Sequence, residues 1–121
     1  MTFDPSKFTK SEIRARFMDQ LAQQILIIDG ATGTALQELD LTAEDFGGED
    51  LAGCNENLIL TRPNVIRSVH RKYLEAGADC IETNTFGATP IVLDEYDLGS
   101  QAYEINEKGA RLAREEADAF S

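Results

Sequence analysis

The chain has 121 residues, of which 42% are hydrophobic, and a formal net charge of -11 at pH 7. This length and composition suit one domain, or part of one, with a small buried core. The negative charge repels nucleic acid and anionic membranes, so we predict neither as a partner. No stretch approaches the ~20 apolar residues of a membrane span, and the N-terminus lacks the apolar run of a signal peptide.

The first predicted elements are a helix and a buried strand. Thr9 and Glu12 have the spacing of a capping box and predict a helix from Lys10 to Gln23. One face of this helix is apolar: Ile13, Phe17 and Leu21. The apolar run from Ile25 to Ile28 predicts a strand covered on both faces, as in a parallel sheet.

The region after this strand is mixed. The sequence GATGTALQ, which begins at Gly30, predicts a short helix. The run from Asp40 to Asp50 is acidic and rich in glycine, and we predict a solvated loop there. Loops this long in compact domains are usually functional or disordered.

The remaining elements alternate between helices and a strand. Pro63 predicts the first turn of a helix that ends near Gly77, and residues 78–83 predict a second short strand. Thr89 and Pro90 predict a short helix, and a long helix follows from about Ser100 to residue 119. The order of helices and strands is that of the start of a parallel α/β fold.

The candidate binding residues lie where the two predicted strands end. Chemistry in parallel α/β folds collects at the carboxyl ends of strands. The carboxylate of Asp29 can accept hydrogen bonds from a substrate ammonium, and Gly30 allows a ligand to approach the backbone. Thr83 and Asn84 offer further donors and acceptors. The alternative interpretation is structural, because Asp-Gly often forms a simple turn and Thr is common in strands.

Other motifs give weaker hypotheses. The sequence GATGT lacks the Lys of a phosphate-binding loop and the second Asp of a haloacid-dehalogenase phosphatase, although a small anion-binding module stays open. For His70, the single histidine, the sequence favours a surface or interface position over a catalytic base. Cys54 and Cys80 form no C-x-x-C pair, which predicts reduced thiols in a cytoplasmic protein. These residues are too few for a zinc site within this chain.

Three segments together resemble one family. ILIIDGATGTALQ, NENLILTRPNVIRSVHRKYLEAGADCIETNTFGAT and YEINEKGARLAREEAD are similar to the start of the homocysteine S-methyltransferase domain. The similarity is strongest to the N-terminal module of the cobalamin-dependent members. It covers nearly the whole chain from Ile25 onward, and the segment from Gly77 to Thr89 is the most specific part.

The resemblance implies a (β/α)8 barrel, of which this chain holds only the N-terminal part. Residues 1–24 would then be an N-terminal helical extension, and residues 25–121 the first βα units of the homocysteine-binding barrel. The implied activity is methyl transfer to a zinc-bound homocysteine thiolate, which gives methionine. In the cobalamin-dependent members the methyl group arrives on cobalt and comes from methyltetrahydrofolate.

Carried over by position, the family pattern implies one set of homocysteine-binding residues: Asp29, Gly30, Thr83, Asn84 and Phe86. The zinc cysteines of the family fall beyond residue 121, so we expect no metal ligand, no bound cofactor and no catalysis from this chain alone. The remainder of the barrel, or a completing chain, would be its partner. The alternative is a non-catalytic partial barrel that acts by pairing with another chain.

Overall fold

The fold is known from a computed structural model, which describes residues 7–120. The first six residues of the predicted N-terminal extension, and residue 121, lie outside the described residues. The α-helices of the described part are α1 (Lys10–Gln23), α2 (Thr32–Gln37), α3 (Ala43–Phe46), α4 (Leu58–Thr61), α5 (Pro63–Glu75), α6 (Pro90–Leu93) and α7 (Ala102–Phe120). Short 3-10 turns cover Glu49–Leu51, Asn55–Asn57, Asp94–Tyr96 and Gly99–Gln101.

Helix α1 has the predicted bounds and the predicted cap. The Glu12 backbone N–H donates to Thr9 Oγ1 (3.2 Å), and the Thr9 N–H donates to Glu12 Oε2 (2.6 Å). These two bonds satisfy donors that a helix start leaves free. None of the residues of α1 is buried, however. Its predicted apolar face exists as a stripe, but that stripe remains largely open to solvent.

The two predicted strands are extended segments and form no strand in the described residues. One parallel bridge joins Ile28 to Cys80. The Asp29 N–H donates to the Cys80 carbonyl (3.1 Å), and the Asp79 N–H donates to the Ile27 carbonyl (2.8 Å). The neighbouring, parallel placement agrees with the prediction. The prediction of two strands is wrong, because a single bridge is not a continuous ladder. Two paired segments without a third are only marginally stable as a sheet.

The expectation that the first strand is covered on both faces is also wrong. Ile25 is 89% exposed, Ile27 is 59% exposed and Ile28 is 54% exposed. No described element packs over these three side chains closely enough to bury them. The run from Ile25 to Ile28 therefore has the apolar composition of a buried strand, although most of its side chains are exposed.

The core lies instead among the helices. Helices α5 and α7 pack against each other, and α4 contacts both. These three helices contribute five deeply buried apolar side chains: Leu58, Ile59, Ile66, Ile105 and Leu112. Leu93 of α6 is as deeply buried and belongs to the same core. The face predicted for α7 is confirmed at Ala102, Ile105, Gly109, Leu112 and Ala113, which are all buried.

The acidic run from Asp40 to Asp50 is not a plain solvated loop. Helix α3 and the Glu49–Leu51 turn lie within it. Asn57 Nδ2 donates to the Phe46 carbonyl (2.7 Å), which ties the run to the core. Hydrogen bonds from the backbone and side chain of Thr42 hold the pKa of Asp45 below its usual range. The prediction failed because local polarity was taken as a sign of disorder, although a second capping box begins at Thr42.

Gly109 sets how closely α7 approaches its neighbours. A Cβ at this position would lie 2.8 Å from Thr85 Cγ2 and 2.9 Å from Ile59 Cδ1. Both distances are shorter than carbon atoms tolerate, so with a larger side chain either these two side chains or α7 itself must shift.

We therefore expect Gly109→Leu to lower the free energy of unfolding by about 1–3 kcal/mol through overpacking. Urea denaturation followed by circular dichroism measures this change. The matched control is Ala110→Leu, on the exposed side of the same helix. Equal stability of the two variants would contradict the tight packing at Gly109.

Candidate functional site

Two loops share one cavity at the carboxyl ends of the extended segments. The cavity has a volume of about 430 Å³. Residues 30–33 line it from the first loop, residues 82–84 and Phe86 from the second, and Asn55 and Glu56 from the turn before α4. Among the residues predicted to bind substrate, the cavity lining includes Gly30, Thr83, Asn84 and Phe86. The structure thus brings together residues that are more than 50 positions apart in sequence.

Asp29 lies beside this cavity and does not line it. Its Oδ1 accepts a hydrogen bond from the Glu82 backbone N–H (2.8 Å). Its Oδ2 is buried and has no hydrogen-bond partner. In the structure, then, the Asp29 carboxylate connects the ends of the two extended segments, and one of its oxygen atoms is still free to accept.

The second loop is held against the turn that precedes α4. Asn84 is buried, and its Nδ2 donates to the Asn55 carbonyl (2.8 Å). The Gly87 N–H donates to Glu56 Oε1 (3.0 Å). The hydroxyl groups of Thr83 and Thr85 are 2.6 Å apart and share a hydrogen bond. These contacts fix the backbone of the loop and leave the Phe86 side chain fully exposed.

Sequence reasoning missed six residues of the lining: Ala31, Thr32, Gly33, Asn55, Glu56 and Glu82. Asn55, Glu56 and Glu82 contribute to the cavity, although none of them was predicted as a site residue. The polar triplet at residues 55–57 was a usable signal, because it interrupts the chain just before a buried apolar helix. Polar side chains so close to a core usually have a defined hydrogen-bond partner.

The charge of the lining favours a cationic ligand group. Glu56 and Glu82 contribute carboxylates, and the described residues of the lining include neither Lys nor Arg. An ammonium group would be attracted to such a cavity and a phosphate repelled from it. This arrangement argues against the small anion-binding module that the sequence left open.

His70 is buried on α5, and the prediction of a surface or interface position is wrong. Only 1% of its surface is exposed, and neither ring nitrogen has a hydrogen-bond partner. Burial lowers the pKa of His70, while the negative charges of Asp29 and Glu116 oppose this shift. The prediction failed because it considered the polarity of histidine and not its position on the helix. On α5, His70 lies on the buried side together with Val69.

The cysteines do not build a metal centre here. Within residues 7–120, no group of three or more His, Cys, Asp or Glu residues has an arrangement that could hold a metal ion. Cys54 and Cys80 are both free thiols. Burial raises the pKa of Cys54, so its thiol stays protonated near neutral pH.

Comparison with known proteins gives a consistent result. The profile of the family described as homocysteine S-methyltransferase matches residues 26–121. The chain belongs to the homocysteine S-methyltransferase family. The match includes both loops that line the cavity.

Two curated relatives are methionine synthases from mycobacteria. The chain is 48% identical over 101 residues to the protein of Mycobacterium tuberculosis and 46% identical over 101 residues to that of Mycobacterium leprae. Each alignment covers 84% of this chain and 8% of the relative. The chain therefore spans about a twelfth of the length of these two relatives. Within its described residues, no helix has the length and apolar character needed to cross a bilayer.

The buried His70 predicts a specific pH dependence of stability. The pKa of His70 is lower in the folded chain than its ordinary value of about 6.5. The unfolded chain then binds the proton more readily, so the free energy of unfolding should fall as the pH drops below about 6.5 and level off above it.

Urea denaturation at several pH values between about 7.5 and 5.5 measures this slope. The His70→Leu variant places an apolar side chain in the core and has no group that titrates at this position. Its free energy of unfolding should therefore change less with pH over the same range. Parallel curves for the two chains would mean that His70 does not cause the pH dependence.

Proposed function

We propose that this chain is part of the homocysteine-binding domain of a homocysteine S-methyltransferase of the methionine synthase type. Residues 25–121 would be the first βα units of a (β/α)8 barrel, and residues 1–24 a helical extension before it. Family membership supports the domain. The parallel bridge between Ile28 and Cys80 supports neighbouring, co-directional strands in the complete barrel.

The observation that carries the proposal is the shared cavity at the ends of the two extended segments. Gly30, Thr83 and Asn84 line it, and Asp29 lies beside it with a buried, free carboxylate oxygen. A cavity of about 430 Å³ is large enough for an amino acid the size of homocysteine. Asp29 would accept hydrogen bonds from the substrate ammonium, and the exposed ring of Phe86 would cover the aliphatic part.

The metal chemistry of the family has no fitting residues in the described part of this chain. A zinc ion would supply the thiolate form of homocysteine, which is the nucleophilic form. Since residues 7–120 offer no suitable group of ligands, we assign no step to zinc here. Zinc, cobalamin and methyltetrahydrofolate would be bound by other parts of a complete enzyme. The role of this chain would be to bind and orient the amino-acid end of homocysteine.

The first test is binding of L-homocysteine by the full 121-residue chain, measured by isothermal titration calorimetry. Asp29→Asn should weaken binding by about tenfold or more, because a charge-assisted hydrogen bond contributes roughly 1.5–3 kcal/mol. The control variant is Asp50→Asn, because Asp50 is exposed in the Glu49–Leu51 turn and does not line the cavity. Circular dichroism must show that both variants keep the helix content of the parent chain.

A matched ligand makes this test more specific. 4-Mercaptobutyrate has the thiol and carboxylate of homocysteine but lacks its amino group. It should bind weakly to the parent chain, and Asp29→Asn should not weaken its binding further, because it has no ammonium to lose and the substitution removes a repelling charge. Equal binding of homocysteine to the parent and the Asp29→Asn chain would contradict the assigned role of Asp29.

We also expect the purified chain to form no methionine when supplied with zinc, methylcobalamin and L-homocysteine. Its described residues supply a binding cavity without ligands for the metal. Mass spectrometry of the reaction mixture detects methionine directly. Formation of methionine above the rate without protein would show that this chain is catalytic by itself.

The second candidate function is a non-catalytic partial barrel that pairs with another chain. The specific observation in its favour is the exposed apolar stripe formed by Ile25, Ile27 and Ile28. Exposed apolar surface beside an unpaired extended segment is a typical site of association. Sedimentation that gives a stable monomer with cooperative unfolding would count against this candidate.

A further inference from the structure

Two side chains of the described residues carry buried polar atoms that have no hydrogen-bond partner. Among the described residues, these atoms belong only to Asp29, at Oδ2, and to His70, at Nδ1 and Nε2. Buried polar groups in proteins almost always find a partner, because an unpaired one costs about 1–3 kcal/mol. Asp29 follows the first extended segment and His70 lies on α5, so two separate elements contribute these atoms.

Electrostatics connects the two residues. The negative charge of Asp29 acts on the imidazole of His70 and favours its protonated form. The carboxylate of Glu116, which comes from α7, acts in the same direction. Glu116 is already neutralised by Arg71, whose guanidinium donates to Oε2 at 2.8 and 3.1 Å, and by Arg67 at 3.6 Å from Oε1. Asp29 is therefore the neighbouring carboxylate that still has an oxygen to offer.

We propose that His70 is a positioning residue for Asp29. Its neutral imidazole donates a hydrogen bond to Asp29 Oδ2 through one buried water, while the Glu82 N–H donates to Oδ1. Each oxygen of the carboxylate then has one donor that restricts its orientation. A carboxylate has about four lone-pair positions, so both oxygens still accept from a ligand ammonium. The ligand part of this inference rests on the proposed binding of homocysteine.

The arrangement couples substrate binding to the proton on His70. An ammonium beside Asp29 cancels the negative charge that favours protonated His70. Linkage is reciprocal, so a proton on His70 must weaken binding of the ammonium. The coupling involves Asp29 and Glu116 as the charges acting on the ring, and only the charge at Asp29 changes when the ligand binds.

Nuclear magnetic resonance can test the pair in the ligand-free chain, since His70 is the single histidine. Its ring nitrogen signals at pH 7.5 report which nitrogen carries the proton and whether that N–H is hydrogen-bonded. Asp29→Asn should shift these signals, and its His70 should titrate at lower pH than in the parent chain. Glu104→Gln, which removes one exposed carboxylate from α7, is the charge control and should leave them unchanged. Unchanged signals in Asp29→Asn would overturn the proposal.

Ligand titration provides an independent arm that needs no variant. L-homocysteine should shift the His70 ring signals and lower the pH at which the ring titrates, whereas 4-mercaptobutyrate should leave both unchanged. Binding of homocysteine without any response from His70 would overturn the proposal. If homocysteine does not bind, the proposed function fails, and the Asp29→Asn comparison still decides whether the two side chains are coupled.

Two substitutions at His70 separate positioning from packing. His70→Leu removes the donor and should weaken homocysteine binding by about tenfold, the size of one hydrogen bond to a charged group. His70→Gln keeps an N–H donor and should recover most of that loss. Binding to 4-mercaptobutyrate should be the same in all three chains. An equal loss of homocysteine affinity in both variants would show that His70 has a packing role only. If a variant does not fold, the Asp29→Asn comparison and the ligand titration decide.

Discussion

The hydrogen bond between the Glu82 N–H and Asp29 Oδ1 is the contact on which the candidate site depends. It joins residues 53 positions apart, and it lies just beyond the single bridge that holds the two extended segments side by side. Without it, the hydrogen bonds between the two segments would end at the Asp29 N–H and the Cys80 carbonyl, before the second loop begins. The Asp29 carboxylate thus extends the connection to the backbone of the loop that lines the other side of the cavity.

The helices provide the rigid support for these loops. The turn before α4 carries the residues that anchor the second loop, and α4 itself is in close contact with α7 at Gly109. This division of labour is common in α/β proteins, where packed elements form the frame and loops carry the binding groups. Within residues 7–120 the frame is almost entirely helical, since the two extended segments are joined to each other by a single bridge and form no sheet.

Local sequence patterns were sufficient for the helices and insufficient for the surroundings of individual side chains. The capping box at Thr9, the proline in the first turn at position 63 and the helix end near Gly77 are properties of a few neighbouring residues, and each was predicted correctly. The burial of His70 and the exposure of Ile27 depend on what lies across the chain. Ile27 has no described element packed closely enough over it, and His70 lies on a helix against which α2, α4 and α7 pack. The candidate site shows the same difference. Gly30 and Thr83 could be predicted from their positions at the ends of the extended segments, whereas Glu56 lines the cavity through contacts between distant parts of the chain.

The buried carboxylate of Glu116 has a consequence for how the two main helices can move. It is 5% exposed and bound by two arginines of α5. Sliding α7 by one turn, about 5.4 Å, would bring Leu112 or Phe120 opposite those arginines. Either shift would leave the buried Glu116 carboxylate without its two arginine partners, and an uncompensated buried charge is strongly destabilising. The ion pairs of Glu116 therefore favour the observed alignment of α5 and α7 over one shifted by a turn.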